Sequence, residues 1–383
     1  MHHGKCGSKM IVTEGISFWK NKKVLVTGHT GFKGTWLCEL LNIHGADVYG
    51  YALEPPTDPS IFDIINTKER ITSYKGDISD FDRLFGVFSD VKPEIVFHLA
   101  AQPLVRESYV NPRYTYQTNV MGTVNVLECM RQLPSVRSMV NITTDKVYDN
   151  VEWCWGYRET DRLDGFDPYS NSKSCSELVT HSYIRSFFKD IAISTVRAGN
   201  VIGGGDFAKD RIIPDCVRSA VSGEQIQIRN PYSVRPYQHV LEPLCAYMLI
   251  AEKQYVDTSF ADSYNIGPDY TNCVTTGKIA DTFCNLWSGA EWIDKSDVHA
   301  PHEAGFLKLD CSKIKQKLGW KPEWDIDQTM KKTIQWYKAY FDHEDMEKVT
   351  IRQIEEFKEV RMENRMENSM EYRTDSEKEY AIV

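Results

Sequence analysis

No C-x-x-C pair occurs among the ten cysteines, which argues against a zinc knuckle or a redox dithiol, and no metal centre is expected. Scattered from Cys6 to Cys311, they read as reduced, mostly buried thiols of a cytoplasmic protein. The sequon Asn141-Ile142-Thr143 is then incidental, since it closes an apolar run with the look of a buried strand. No segment concentrates Lys and Arg, and 45 basic against 54 acidic residues leave a net charge of -9, so nucleic acid is not an expected partner. No apolar run nears the ~20 residues that span a bilayer. The stretch from Glu94 to Val105 is interrupted by His98 and Gln102, and no membrane helix is expected. Met1-His2-His3-Gly4-Lys5-Cys6 has no apolar core after its basic residues and does not read as a secretory signal.

The 383 residues, 42 % hydrophobic and 12 % aromatic, suffice for a sizeable core and two or three domains. Lys23-Val24-Leu25-Val26-Thr27 is a β-branched run ending in glycines, and Trp36 to Ile43 after it has helical spacing. The alternation recurs. Strands are expected over 46–51, 71–75, 95–99, 138–143 and 191–197, with a helical turn at 60–67 and helices from Ser79 or Asp80 to Ser89, over 114–131 and over 171–188. Strands alternating with helices predict an α/β fold, a doubly wound parallel sheet of Rossmann type, with ligands at the carboxyl ends of the strands. The expected organisation is an N-terminal tail at 1–17, a cofactor-binding domain at 18–200, and a smaller mixed α/β substrate-binding lobe at 201–342. That lobe is discontinuous, because 236–265 returns to the first domain. From His343 onward 19 of 41 residues are charged, and Ile351, Ile354, Phe357 and Val360 form a narrow apolar stripe, which predicts an exposed helix that frays into a tail.

Gly28-His29-Thr30-Gly31-Phe32-Lys33-Gly34 lies between the first strand and the first helix, where a dinucleotide pyrophosphate needs close backbone approach and free helical N–H groups. The same glycines would also serve a simple tight turn. Glu54, twenty residues past Gly34, favours a free ribose 2′-hydroxyl, hence NAD, although it stands beside Pro55-Pro56 past the expected strand end. Lys33 either reaches the phosphates or is a solvated helix-start residue. Asp77-Ile78 would flank an adenine, or Asp77 caps a helix. Small residues in His98-Leu99-Ala100-Ala101 suit a backbone passing close to a cofactor, or close helix packing. Tyr169 and Lys173 stand at i and i+4, with Thr144 25 residues upstream of the tyrosine at a strand end. An ammonium at that spacing stabilises a phenolate and draws the phenol toward neutrality, making Tyr169 a general base beside the Thr144 hydroxyl.

The glycine turn, Asp77, His98 to Ala101, Asn119, Thr144 and Tyr169/Lys173 together resemble the extended short-chain dehydrogenase/reductase family, whose members modify sugar nucleotides. Further segments resemble its branch of CDP-glucose 4,6-dehydratases. They are Ala101-Gln102-Pro103-Leu104-Val105-Arg106, Thr144-Asp145-Lys146, Gly156-Tyr157-Arg158-Glu159, Gly203-Gly204-Gly205-Asp206, Arg211 to Asp215, Arg229-Asn230-Pro231 and Arg235 to His239. The likeness runs from about Phe18 to about Phe341. It implies NAD, held by Gly28, Thr30, Gly31, Phe32, Lys33, Gly34, Glu54, Asp77, Ile78, Ala100, Ala101, Asn119, Tyr169 and Lys173. It implies CDP-glucose, met by Gln102, Arg106, Asn200, Arg211, Arg229, Arg235 and His239, each arginine being equally suited to an internal ion pair. Asp145 becomes the acid at the sugar C6 hydroxyl, or a capping carboxylate. Related enzymes acting on dTDP-glucose place a glutamate where Lys146 stands, so Lys146 is either the base at C5 or a cation that stabilises an enolate while another group takes the proton. A homodimer, or a dimer of dimers, through the helices at 114–131 and 171–188 is implied, as is a place in deoxysugar biosynthesis. The alternatives are a 4-epimerase or other sugar-nucleotide dehydratase, and a non-catalytic NAD-binding scaffold.

Overall fold

The computed structural model describes residues 18–296 and 305–380, with side chains to residue 364; the expected tail at 1–17 lies outside the described residues. Seven strands form the central sheet: β1 (Lys23–Thr27), β2 (Asp47–Ala52), β3 (Thr72–Lys75), β4 (Ile95–His98), β5 (Ser138–Ile142), β6 (Ala192–Ala198) and β7 (Ser263–Ile266). Their order is β3-β2-β1-β4-β5-β6-β7 and every pairing is parallel. Chain order reverses between β1 and β4, so a crevice opens at the carboxyl ends of these two strands. β4, β5 and β6 are buried at every position, as parallel strands covered on both faces are, and their polar residues Ser138, Asn141, Ser194, Thr195 and Arg197 are taken up in hydrogen bonds.

Around the sheet lie α1 (Phe32–Ile43), α2 (Phe81–Val91), α3 (Gly122–Gln132), α4 (Pro168–Phe187), α5 (Ile212–Val221), α6 (Leu241–Val256), α7 (Thr276–Leu286), α8 (Ile326–Phe341) and α9 (Met346–Tyr380). α2 shows the local logic. Asp80 caps it by accepting from the Arg83 N–H at 3.1 Å, and Leu84, Val87, Phe88 and Val91 fall on one face and are buried.

Two helices differ from expectation. The stretch predicted as one helix over 114–131 consists of Val105–Val110, Pro112–Tyr116, a π-helical turn Gln117–Met121, and α3. α4 begins at Pro168, not at 171. Asp167 accepts from the Ser170 N–H at 3.0 Å and Pro168 occupies the first turn, so Tyr169 is already helical.

The second lobe is threaded by short pairings: Val201–Ile202 with Gln238–His239, Val234–Arg235 with Val274–Thr275, and Ile226–Ile228 with Trp292–Asp294. It is welded to the sheet domain at Gly204. The Trp36 indole of α1 donates to its carbonyl at 3.0 Å, and a Cβ on it would lie 2.0 Å from Cγ of Trp336 in α8. Gly204→Ala is therefore expected to cost about 3 kcal/mol, the upper part of the overpacking range, read as a lower urea midpoint. An unchanged midpoint would mean that the buried Trp336 moves aside freely.

The predicted exposure of α9 needs correction. Met346, Val349, Ile354 and Phe357 are buried, and Phe357 packs edge-on against Trp324 with ring centroids 4.9 Å apart. Of the expected stripe only Ile351 and Val360 remain partly exposed.

Candidate active site

β1 runs into Gly28, whose φ of +75° few L residues adopt and whose Cβ, if present, would lie 2.7 Å from the Ala100 backbone nitrogen. The turn thus presses against the end of β4, where Ala100 N–H donates to Thr27 Oγ1 at 3.2 Å. α1 then starts at Gly31 without a side-chain cap, so its first N–H groups face the crevice. A glycine cradle that a Cβ would fill, ahead of an open helix end, fits a dinucleotide pyrophosphate.

The other expected cofactor contacts have varied surroundings. Thr30 donates to the Leu53 carbonyl at 3.0 Å, and Glu54 pairs with Lys75 at the exposed end of β2 and β3. Asp77 accepts from the Ser79 N–H and hydroxyl at 2.8 and 2.7 Å in the turn before α2, whose cap is Asp80, while Ile78 is buried against Gly122. Asn119, in the π-turn, has both amide ends engaged: Oδ1 accepts from Gln102 N at 2.8 Å, and Nδ2 donates to Gln102 O at 3.1 Å and Ser172 Oγ at 2.8 Å. Gln102 is likewise spent, on Leu104 and Thr115, in shaping the 102–104 turn.

A cavity of about 440 Å³ opens where β5 and β6 end, lined by Phe32, Lys33, Thr144, Lys146, Tyr169, Asn200, Arg106, Arg211, Arg229 and Arg235 among others. It brings together Thr144, Lys146 and Tyr169 of the residues that the sequence assigns to catalysis with most of those assigned to substrate, while Asp145 and Lys173 lie buried outside its lining. Thr144 hydrogen bonds to the Tyr169 phenol and donates to Asp145 Oδ1 at 3.0 Å. Lys146 Nζ reaches the same Oδ1 at 3.0 Å and Asn200 Oδ1 at 3.4 Å. Asp145 is fully buried and its Oδ2 has no hydrogen-bond partner, so one carboxyl oxygen remains for a ligand or a proton.

Lys173 is anchored on the backbone of β5. Its ammonium donates to the Ile142 carbonyl at 3.0 Å, and burial, opposed by Glu177, brings it down to about 8. Burial pushes the Tyr169 phenol up to about 12, against the Thr144 hydrogen bond and the nearby Arg211 cation. Desolvation therefore outweighs the local cations at the phenol until something else enters the cleft. Lys33, ringed by Lys173, Arg211 and Lys146, is brought down to about 7, mainly by burial and then by those cations, with Asp145 opposing.

The cavity arginines are held by carboxylates that the sequence reading gave no role. Asp206 accepts from Arg211 at 2.9 Å, and Asp210 accepts from Arg229 at 2.6 Å with Arg106 3.7 Å away. Arg235 is buried and donates to the Val234 carbonyl at 3.0 Å. His239 does not fit its expected role at substrate. It is fully buried between Trp36 and Trp324, with ring centroids at 6.1 and 4.8 Å, because α1 and the segment before α8 close over it. Tyr237, unassigned by the sequence, lines the cavity instead, and the repeated aromatic and polar residues of Arg235 to His239 give no clue to which of them face inward.

Comparison with known proteins decides the family: residues 25–333 match the model described as GDP-mannose 4,6 dehydratase. The chain belongs to that family. Among GDP-mannose 4,6 dehydratase family relatives, a CDP-glucose 4,6-dehydratase of Salmonella typhimurium is 49% identical over 350 residues, 89% of this chain and 97% of the relative. A UDP-glucose 4-epimerase structure from Stenotrophomonas maltophila with bound NAD shares the fold at TM-score 0.75 and 23% identity, covering 84% of this chain and 99% of the other. A dTDP-glucose 4,6-dehydratase structure from Bacillus anthracis in complex with NAD does so at TM-score 0.70 and 21% identity, covering 85% and 99%.

Proposed function

We propose that this chain dehydrates CDP-glucose to CDP-4-keto-6-deoxyglucose, with NAD as a resident cofactor that is regenerated in each turnover. The observation that carries the reading is that Lys146, Thr144 and Tyr169 line one cavity while Asp145, buried directly behind them, bonds both Thr144 and Lys146. A 4-epimerase has no use for an acid at C6, and a binding scaffold has none for a phenol poised beside a threonine. Likeness at 49% identity to the Salmonella typhimurium CDP-glucose 4,6-dehydratase supports CDP-glucose among nucleotide sugars.

When bound, NAD would supply a reversible two-electron acceptor: the hydride taken from sugar C4 returns to C6 once water has left. Tyr169 takes the proton of the C4 hydroxyl, oriented by Thr144. The resulting ketone acidifies the C5 proton, which a base in the cleft, Lys146 or another group, takes and gives back to C5 as hydride returns to C6. Asp145 delivers a proton from its unpaired oxygen to the C6 hydroxyl, so that water departs. Lys146 stands ready to stabilise the enolate formed at C4–C5. Arg106, Arg211 and Arg229 neutralise the diphosphate, which replaces the Asp206 and Asp210 carboxylates as their partner. The sheet domain over 18–200, with its return at 236–265, then carries the cofactor, and the lobe over 201–342 carries the nucleotide.

Incubation with CDP-glucose and NAD, followed by alkali and ultraviolet absorbance, tests this. A 4-keto-6-deoxy product is expected; CDP-galactose would indicate an epimerase, and unchanged sugar a scaffold.

Lys33 gives a pH signature. Its amine is brought down to about 7 in the free site, so an anionic pyrophosphate beside it favours the protonated form. NAD affinity should fall as pH rises above 7, by up to about tenfold per unit, and lose that slope in Lys33→Met. Titration calorimetry at several pH values checks it, and an identical slope in the variant would exclude Lys33 from the pyrophosphate.

Exposed Tyr109, Tyr114, Tyr116, Met121, Leu178 and Phe187 lie on the 105–121 helices and on α4, which supports a homodimer across this face. No helix among the described residues is long and apolar enough to cross a membrane. A cytoplasmic enzyme of deoxysugar biosynthesis accords with nucleotide-sugar chemistry.

A further inference from the structure

Lys146 does not approach Asp145 alone. Its Nζ also donates to Asn200 Oδ1 at 3.4 Å, and Asn200 sits just past β6, at the seam between sheet domain and second lobe. With Oδ1 turned to Lys146, the amide nitrogen faces Tyr237, whose hydroxyl hydrogen bonds to it. The Tyr237 hydroxyl meets Thr276 Oγ1 at 3.0 Å, and that hydroxyl meets Ser233 Oγ at 2.9 Å. Ser233 donates to the Asn230 carbonyl at 3.0 Å, directly after Arg229. An unbroken file of hydrogen bonds thus joins the lobe's arginine-bearing loop to the amine beside the acid. Tyr237 is 3% exposed, and its ring is locked in the core while its hydroxyl reaches the cavity wall.

We propose that Asn200 and Tyr237 are positioning residues for Lys146, holding its ammonium against Asp145 so that elimination of water follows oxidation at C4. The sequence resemblance places Asn200 on the substrate; the geometry gives its carbonyl oxygen to Lys146 and its nitrogen to Tyr237. Two acceptors, Asp145 Oδ1 and Asn200 Oδ1, fix the amine where a long flexible side chain would otherwise sample many rotamers. A file that starts beside Arg229 also gives nucleotide binding a route to bear on the position of Lys146.

The inference rests on the dehydratase reading, and two kinds of measurement separate them. In turnover of CDP-glucose by the NAD-loaded enzyme, Tyr237→Phe and Asn200→Ala should lower kcat about 10–100-fold with KM within a few-fold, as expected for a misplaced catalytic group. Because oxidation at C4 outpaces elimination, the near-ultraviolet absorbance of reduced nicotinamide should accumulate in a single turnover. Asn200→Asp, which retains an acceptor, should recover most of the rate. A raised KM with intact kcat, or no accumulation of reduced cofactor, would overturn the proposal in favour of a direct substrate contact. The second measurement needs no turnover: the rate of Lys146 acylation by acetic anhydride, read by peptide mass spectrometry on the full chain without substrate. It should rise severalfold in Asn200→Ala and in Tyr237→Phe, the latter keeping its ring and hence its packing. Unchanged labelling would show that neither residue holds the amine. Altered labelling in a protein that leaves CDP-glucose untouched would uphold the anchorage and sink the dehydratase reading alone.

Discussion

Tyr169→Phe is expected to lower kcat for CDP-glucose by about 10²–10⁴-fold, the range of a lost general acid–base group, with KM changed only a few-fold. The substitution removes one oxygen and keeps the ring, which is 9% exposed at the start of α4. What it deletes is the hydrogen bond with Thr144 and the hydroxyl assigned to take the proton of the sugar C4 oxygen. In the free site the phenol stands at about 12, so at neutral pH it holds its proton, and burial is the main reason. Catalysis then requires that loading the cleft bring positive charge to the phenol, since Lys173, one turn along α4, is anchored on the Ile142 carbonyl. Near-wild-type turnover by Tyr169→Phe, with circular dichroism unchanged, would remove the tyrosine from the chemistry and with it the reading of Thr144.

The sheet was legible because burial on both faces gives its central strands short apolar and β-branched runs, as in Val24–Val26 and Ile95–Phe97. β7 was not read as a strand, since Ser263–Ile266 is four residues long and half polar, and only its pairing with β6 makes it one. Nor did the periodicity over 114–131 betray the π-turn, because the single Gly122 after it is tolerated within a helix and Asn119 of the turn is held by tertiary contact with the 102 loop. Among site residues, those whose role depends on a backbone shape were readable from spacing: Gly28 and Gly34 could be no larger. Those whose role depends on a remote partner were not. Gln102, Asn119 and His239 have the chemistry to meet a ligand, yet each is placed by segments far away in the chain that no local pattern announces. Asp206 and Asp210 were passed over for the complementary reason: the arginines were read as ligands for a diphosphate, and cations gathered in a cavity need resident counter-charges before the ligand arrives.

The same burial that shapes the site makes the fold acid-labile well above the carboxylate range. His29, His98 and His239 are each 2% exposed or less, and burial brings them down to about 4, 3 and 3. His98 spends both ring nitrogens on Thr27 at 2.8 Å and Thr123 at 3.1 Å, bridging β1 and α3. His29 bonds Ser73 at 2.7 Å and packs on Phe62. Unfolded, each would titrate near 6.5. Between pH 6.5 and about 4 these three rings alone give the unfolded chain up to three more bound protons than the native one. Half-buried His44 and His181 shift in the same direction, and stability falls as the pH falls. Glu242 opposes this. Burial raises its carboxyl to about 8, so from 8 down to its unfolded value near 4.5 the native state holds the extra proton. The net difference of about two protons corresponds to about 3 kcal/mol lost per pH unit between 6 and 5. Urea unfolding at fixed temperature across that range should show it. Replacing His98 with Asn, which retains a donor and an acceptor, should flatten the slope by about one proton, about 1.4 kcal/mol per unit, despite a lower stability at pH 7. A slope of zero in the wild-type protein would mean that these rings gain protons without leaving the fold.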